Sequence, residues 1–174
     1  MGDIQMQTFS LKADIKEPEN FITIQAVLGR LYNEESIFLR EYRIDENKLI
    51  GRFSLPETPW YIKKSSISSK QRHFAAVEMV LCCNQLIYIL LMNLFTRQLV
   101  NVEQMRLKSF LDKMPGVMVT KYDMTFFEEV NSLDFEASIE CEKLFFRKGA
   151  WYLRLNIMVD KKKHCCSVNC VLPQ

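Results

Sequence analysis

Residues 74–95 read FAAVEMVLCCNQLIYILLMNLF, an apolar run broken by one charge, Glu78, and three amides, Asn84, Gln85 and Asn93. Its length and its want of Gly and Pro make it helical. At about 1.5 Å per residue it is also long enough to cross a bilayer. Glu78 weighs against that, because an ionisable side chain in a lone span is costly. A helix apolar on nearly every side is equally satisfied when protein wraps it. The reading is therefore a buried central helix with no membrane span.

The flanking sequence shows what does the wrapping. Beyond Met114-Pro115-Gly116 the apolar period changes from helical to two. Val117, Val119 and Tyr122 open a strand, and Phe135–Phe146 forms another. Trp151–Asp160 alternates as a third, Lys161-Lys162-Lys163 turns the chain, and His164–Leu172 closes as the last. Upstream, Ile37–Ile44 and Lys48–Leu55 make a hairpin about Asp45-Glu46-Asn47. Pro18-Glu19-Asn20 opens a helix predicted to run to Tyr32, with Phe21, Ile24, Val27, Leu28 and Leu31 on one face. A short helix is predicted over Val102–Leu111, a polar loop over Lys63–Arg72, and a loosely ordered lead over residues 1–17. Strands segregated around helices give an α+β domain, not a parallel α/β one. An antiparallel sheet curled around the single apolar helix buries that helix without lipid, and one domain over 1–174 is expected.

Composition narrows the function. Lys plus Arg is 23 and Asp plus Glu is 21, a net charge of +2, which gives no case for a nucleic-acid binder. Four of the six cysteines fall in adjacent pairs, Cys82-Cys83 and Cys165-Cys166, whose side chains diverge and do not readily bridge. The residues Met1–Met6 lack the pattern of a secretory leader, so a reducing cytoplasm is the expected compartment. With only His73 and His164 there is no histidine-rich metal centre, and His164-Cys165-Cys166 with Cys170 has no zinc-knuckle spacing. Nucleotide-binding glycine runs and Gly-x-Ser-x-Gly are missing too, so no cofactor is expected.

Chemistry concentrates around the central helix. His73 stands just before it, near free N–H groups that polarise a carbonyl and hold an oxyanion. Capping the helix is the alternative role for this histidine. Asn84 lies eleven residues on, which at about 100° per residue returns to nearly the same face, in a stripe with Val77, Val80, Leu81 and Tyr88. An unpaired buried amide costs about 1–3 kcal/mol, so Asn84 must find a partner, either the sheet or a water or carbonyl that it orients. Glu78 and Gln85 share a different stripe, roughly 120° away. Glu78 is open to a role as base or as ion-pair partner.

The run Tyr61-Ile62-Lys63, then His73-Phe74-x-Ala76-Val77-Glu78-x-x-Leu81-Cys82-x-Asn84-Gln85-Leu86-x-Tyr88, resembles the FcoT type of mycobacterial long-chain fatty acyl-CoA thioesterase. The resemblance is dense over about thirty positions and elsewhere extends to the order of elements. It implies a hot-dog fold, a homodimer or higher oligomer, and hydrolysis of an acyl thioester carried by coenzyme A or acyl carrier protein. It also implies a site in which tyrosines and asparagines place water against the thioester, without a strong base. By position Tyr61 and Asn84 take those roles, and Tyr32 matches a further family tyrosine. Phe74, Ala75, Val77, Leu81 and Tyr88 are then the expected acyl-site lining. Ala75 departs from the family, which has asparagine there, and a methyl group makes no hydrogen bond. That departure keeps two alternatives in view. One is dehydration of, or conjugate addition to, an acyl thioester, with His73 and Glu78 moving protons; the other is a non-catalytic acyl-binding protein.

Overall fold

The computed structural model describes residues 18–45, 47–57, 74, 76–96 and 106–173. The apolar run forms helix α2, Ala76–Thr96. Among the described residues it is the helix long and apolar enough to cross a membrane, yet 72% of its apolar window is buried inside the protein. A single six-stranded antiparallel sheet does the burying, with strand order β1-β2-β4-β5-β6-β3. The strands are β1 (Leu39–Asp45), β2 (Lys48–Phe53), β3 (Met118–Phe126), β4 (Phe135–Arg147), β5 (Ala150–Val159) and β6 (His164–Pro173). This is the hot-dog architecture, a curved sheet around one long helix.

Period-two sequence explains the curl. Along β5, Trp151, Leu153, Leu155, Ile157 and Val159 are buried, and along β6 so are His164, Cys166, Val168, Cys170 and Leu172. These side chains share the concave face, and the apolar ones among them join the core that surrounds α2. The convex face is polar. There Arg43 bonds both oxygens of Glu136 at 2.6 and 3.2 Å, and Arg52 both oxygens of Asp134 at 2.7 and 2.9 Å. Such exposed pairs keep the face solvated and add little stability.

Two residues fit the helix to the hairpin. Gly51 lies where β2 meets α2; a Cβ there would stand 2.6 Å from Leu39 Cδ1 and 2.8 Å from Leu86 Cδ2. Gln85, fully buried, accepts the N–H groups of Phe38 and Leu39 at 2.9 Å each and donates to the Ser36 carbonyl at 2.8 Å. One amide thereby ties α2 to the start of β1, at the point where the backbone enters the sheet.

The first helix, α1, covers Pro18–Leu28 and stops short of Tyr32. Gly29 follows, and the N–H groups of Leu31 and Tyr32 both turn back to the Leu28 carbonyl at 2.9 Å. Tyr32 is thus carried on the turn beyond the helix. Helix α3 covers Leu107–Lys113, later than the predicted Val102–Leu111, whose first residues lie outside the described ones. The 1–17 lead and the 63–72 loop lie outside them as well.

Candidate functional site

The sheet leaves one stripe of α2 uncovered. Ala76 and Val77 are exposed, and Val80, Leu81, Asn84 and Tyr88 are half-buried, while most of the rest of the helix is buried. Of the three buried polar residues of α2, Glu78, Gln85 and Asn93, the first two share the covered side, Glu78 at 1% exposure. The predicted separation of Glu78 from Asn84 around the helix is what the fold displays.

Strand β3 runs beside the open stripe in the opposite sense. The Tyr122 hydroxyl donates to Asn84 Oδ1. Four strand residues further, Phe126 shares a pocket with Phe74 and Ala76 at the front of α2. Four strand residues span about 13 Å and the eight helix residues from Ala76 to Asn84 about 12 Å. The two elements therefore wall a trough of matched length. Its front pocket has a volume of about 530 Å³.

Tyr122 faces the trough because of an irregularity in β3. Met118 and Val119 pair with Val171 and Cys170, but Lys121 and Tyr122 pair with Asn169 and Val168. The shift between Val119 and Lys121 leaves Thr120 as an extra residue, as in a β-bulge. Val119 and Tyr122 thus both lie opposite inward-facing residues of β6. Strict alternation would have put them on opposite faces.

Tyr32 and Tyr88 complete the group, with ring centroids 6.4 Å apart and planes at 67°. Burial raises the pKa of Tyr32, with smaller contributions from Tyr88 and Cys82. It raises that of Tyr122, with contributions from Cys83, Cys166, Tyr32 and Cys170, and that of Tyr88 similarly. All three remain protonated phenols at working pH, each with a hydroxyl hydrogen to donate, and that of Tyr122 goes to Asn84. Below them, a hydrogen bond to Cys166 and then burial hold the Cys83 thiol well above its ordinary range. The same hydrogen bond lowers the pKa of Cys166, and all six cysteines are free.

The Tyr122 contact bears on what Asn84 can offer. With Oδ1 taken by Tyr122, its Nδ2 group is left to donate. Hydrogen-bond donors without a base suit stabilisation of charge on a carbonyl oxygen. The amino end of α2 lies about 12 Å away along the helix, so it and Asn84 cannot hold the same oxygen. Among the described residues, no cluster of His, Cys, Asp or Glu has the make-up of a metal site.

Of the residues singled out in the sequence, Tyr32, Asn84 and Tyr88 come together around Tyr122, which sequence reasoning placed on a strand without a role. Leu81 lies half-buried along the same stripe, and Val77, at 44% exposure, lies at its outer end. Phe74 is buried at the front, stacked on His164 at 5.5 Å and edge-on to Phe135 at 5.2 Å. Tyr61, His73 and Ala75 lie outside the described residues.

None of the curated proteins matches the chain. Among solved structures, one that resembles it is Cj0977, a sigma28-regulated virulence protein from Campylobacter jejuni, with 9% identity and a TM-score of 0.45 over 94% of this chain and 96% of that one. Another is a hypothetical thioesterase with coenzyme A from Streptococcus pneumoniae TIGR4, with 11% identity and a TM-score of 0.39 over 77% of this chain and 84% of that one. Likenesses this remote carry no function across. The model of the FcoT-like thioesterase domain matches residues 27–165, which takes in α2, the trough and five of the six strands complete, and the chain belongs to that family.

Proposed function

We propose that the chain hydrolyses fatty acyl thioesters, of coenzyme A or of acyl carrier protein, with the Asn84–Tyr122 pair at the reacting carbonyl. The observation that carries this reading is the Tyr122 hydroxyl fixed on Asn84 Oδ1, in the open stripe of an otherwise buried helix. Asn84 Nδ2 donates to the thioester oxygen, and Tyr32 and Tyr88 hold the attacking water by their phenols. Water oxygen bonds to the carbonyl carbon, the carbon–sulfur bond breaks, and the water's proton ends on the departing thiol. Without a general base among these groups, the rate rests on positioning and on stabilising the oxyanion.

Dehydration or conjugate addition needs a group that moves a proton at the trough. Glu78 is buried on the covered side of α2, away from the open stripe, which supports hydrolysis. The test is thiol release from acyl-CoA and acyl-carrier-protein panels of graded chain length. Release that saturates with substrate supports the reading. Loss of enoyl absorbance without release overturns it in favour of addition, and saturable acyl binding with neither signal overturns it in favour of an acyl-binding protein.

A further inference from the structure

The convex face of the sheet carries a hollow that the trough does not use, and two β-bulges frame it. Besides the shift in β3, β4 slips between Cys141 and Lys143 and leaves Glu142 as an extra residue. Lys143 pairs with Arg154, Arg154 with Asn169, and Asn169 with Lys121. Both irregularities therefore fall at one level of the sheet, on either side of β5 and β6. A bulge bends its strand and adds twist, and here the pair flanks a hollow of about 430 Å³.

Register also decides what lines it. Lys143, Arg154, Asn169 and Lys121 form one row across four strands, and Phe145, Tyr152 and Val171 form the next. Phe145 and Tyr152 stack with centroids 5.2 Å apart and planes at 7°, an apolar bench beside the cations. Elsewhere on this face cations stand opposite carboxylates: Lys48 faces Glu140, and Arg52 faces Glu41 and Glu136. Here Lys143 stands directly opposite Arg154, a like-charge pairing that destabilises a sheet. Glu142 meets Arg154 at 2.9 Å and Asp123 meets Lys121 at 3.4 Å, which leaves Lys143 without an ion pair among the described residues. Three cations share two carboxylates, and an anion seated among them relieves the excess.

We propose that this hollow binds a small amphiphilic anion, its carboxylate or phosphate head on Lys143, Arg154 and Lys121 and its apolar body on the Phe145–Tyr152 bench. Asn169 and Ser167, in the same lining, add uncharged donors for the head. The site is separate from the trough: Lys121 and Tyr122 adjoin on β3, but one side chain lines the hollow and the other reaches Asn84 on the far side of the sheet. The assignment does not depend on the hydrolase reading.

Binding tests it without turnover. Octanoate, octyl phosphate, butyrate and octanol are each titrated into the full chain while the methyl signals of Val171, at the hollow, and Leu81, at the trough, are followed by NMR. Octanoate and octyl phosphate should shift Val171 in a saturable manner, and the tighter of the two identifies the head group. Butyrate leaves the bench bare and octanol lacks the charge, so both should bind more weakly. The Kd should rise between about 0.05 and 0.5 M salt, because the cations are exposed. Lys143→Gln should raise it about threefold, and Lys121→Gln with Lys143→Gln about tenfold, the worth of exposed charge pairs. These surface changes leave the fold intact, which thermal melts check. A Val171 signal unmoved by either anion, shifts at Leu81 alone, octanol binding as tightly as octanoate, or a Kd that ignores the double substitution each overturn the assignment.

Discussion

Asn84 and Tyr122 can be separated by two substitutions. Asn84→Ala removes the donor for the thioester oxygen, and loss of one such donor typically costs about 100-fold or more in kcat. Tyr122→Phe keeps the ring but frees the amide to rotate, so a loss of about tenfold is expected, the worth of one orienting hydrogen bond. Neither change opens a large cavity, because Asn84 and Tyr122 are both half-buried. Thiol-release kinetics alongside thermal melts check this. Full activity in a folded Asn84→Ala chain removes Asn84 from the mechanism, and equal losses from both changes would show that the tyrosine acts on substrate directly. Asn84 was legible in the sequence because an amide in an apolar stripe needs a reason. Tyr122 was not, because its partner lies 38 residues away and its face depends on a bulge that alternation cannot foresee.

At the scale of elements, the join between α2 and the hairpin offers the sharpest prediction. Gln85→Leu leaves two buried N–H groups and one carbonyl without their partner, a destabilisation of about 2–4 kcal/mol. Gly51→Ala forces a methyl against Leu39 and Leu86, where overpacking costs about 1–3 kcal/mol. Urea titration should show both losses, and because the two sites meet around Leu39 their sum should not be additive. A Gln85→Leu chain as stable as the parent would mean that the amide is dispensable. The kinds of element were readable from period alone: an apolar helix, a hairpin and strands of period two. Their ends were less so. Helix α1 stops at Leu28 because Gly29 and the Leu28 carbonyl close it with a turn, an outcome of backbone bonding that the apolar stripe through Leu31 conceals.

For the whole molecule, the wrapped helix was foreseeable because sheet and helix must each hide one another's apolar faces, whereas the trough was not, since it exists where that covering stops. Among the described residues strand β3 ends the sheet along this trough, with Met118 on it at 56% exposure and Phe127 just past its end at 64%. An unpaired edge of this kind invites pairing with a second copy, so we expect a dimer by light scattering that Phe127→Lys weakens; a monomer at working concentration contradicts it. The concave face also sets a pH limit. Burial holds Cys141 and Cys170 at about 12, against an ordinary thiol value of 9.0, and raises Cys82, Tyr32, Tyr88 and Tyr122 as well. The unfolded chain sheds these protons from about pH 9 for thiols and pH 10 for phenols, while the folded chain keeps them. Above about pH 9 the unfolded state binds fewer protons, so stability falls as pH rises and levels off only beyond the folded values. The urea midpoint should be flat between about pH 7 and 8.5 and decline steadily to about pH 11. Replacing both Cys141 and Cys170 by Ala should flatten that decline by up to about 1.4 kcal/mol per pH unit for each thiol removed, whatever it does to stability at neutral pH. A midpoint that holds level to about pH 11, or a slope that ignores the double substitution, would show that the concave face takes up hydroxide through water the sheet does not exclude.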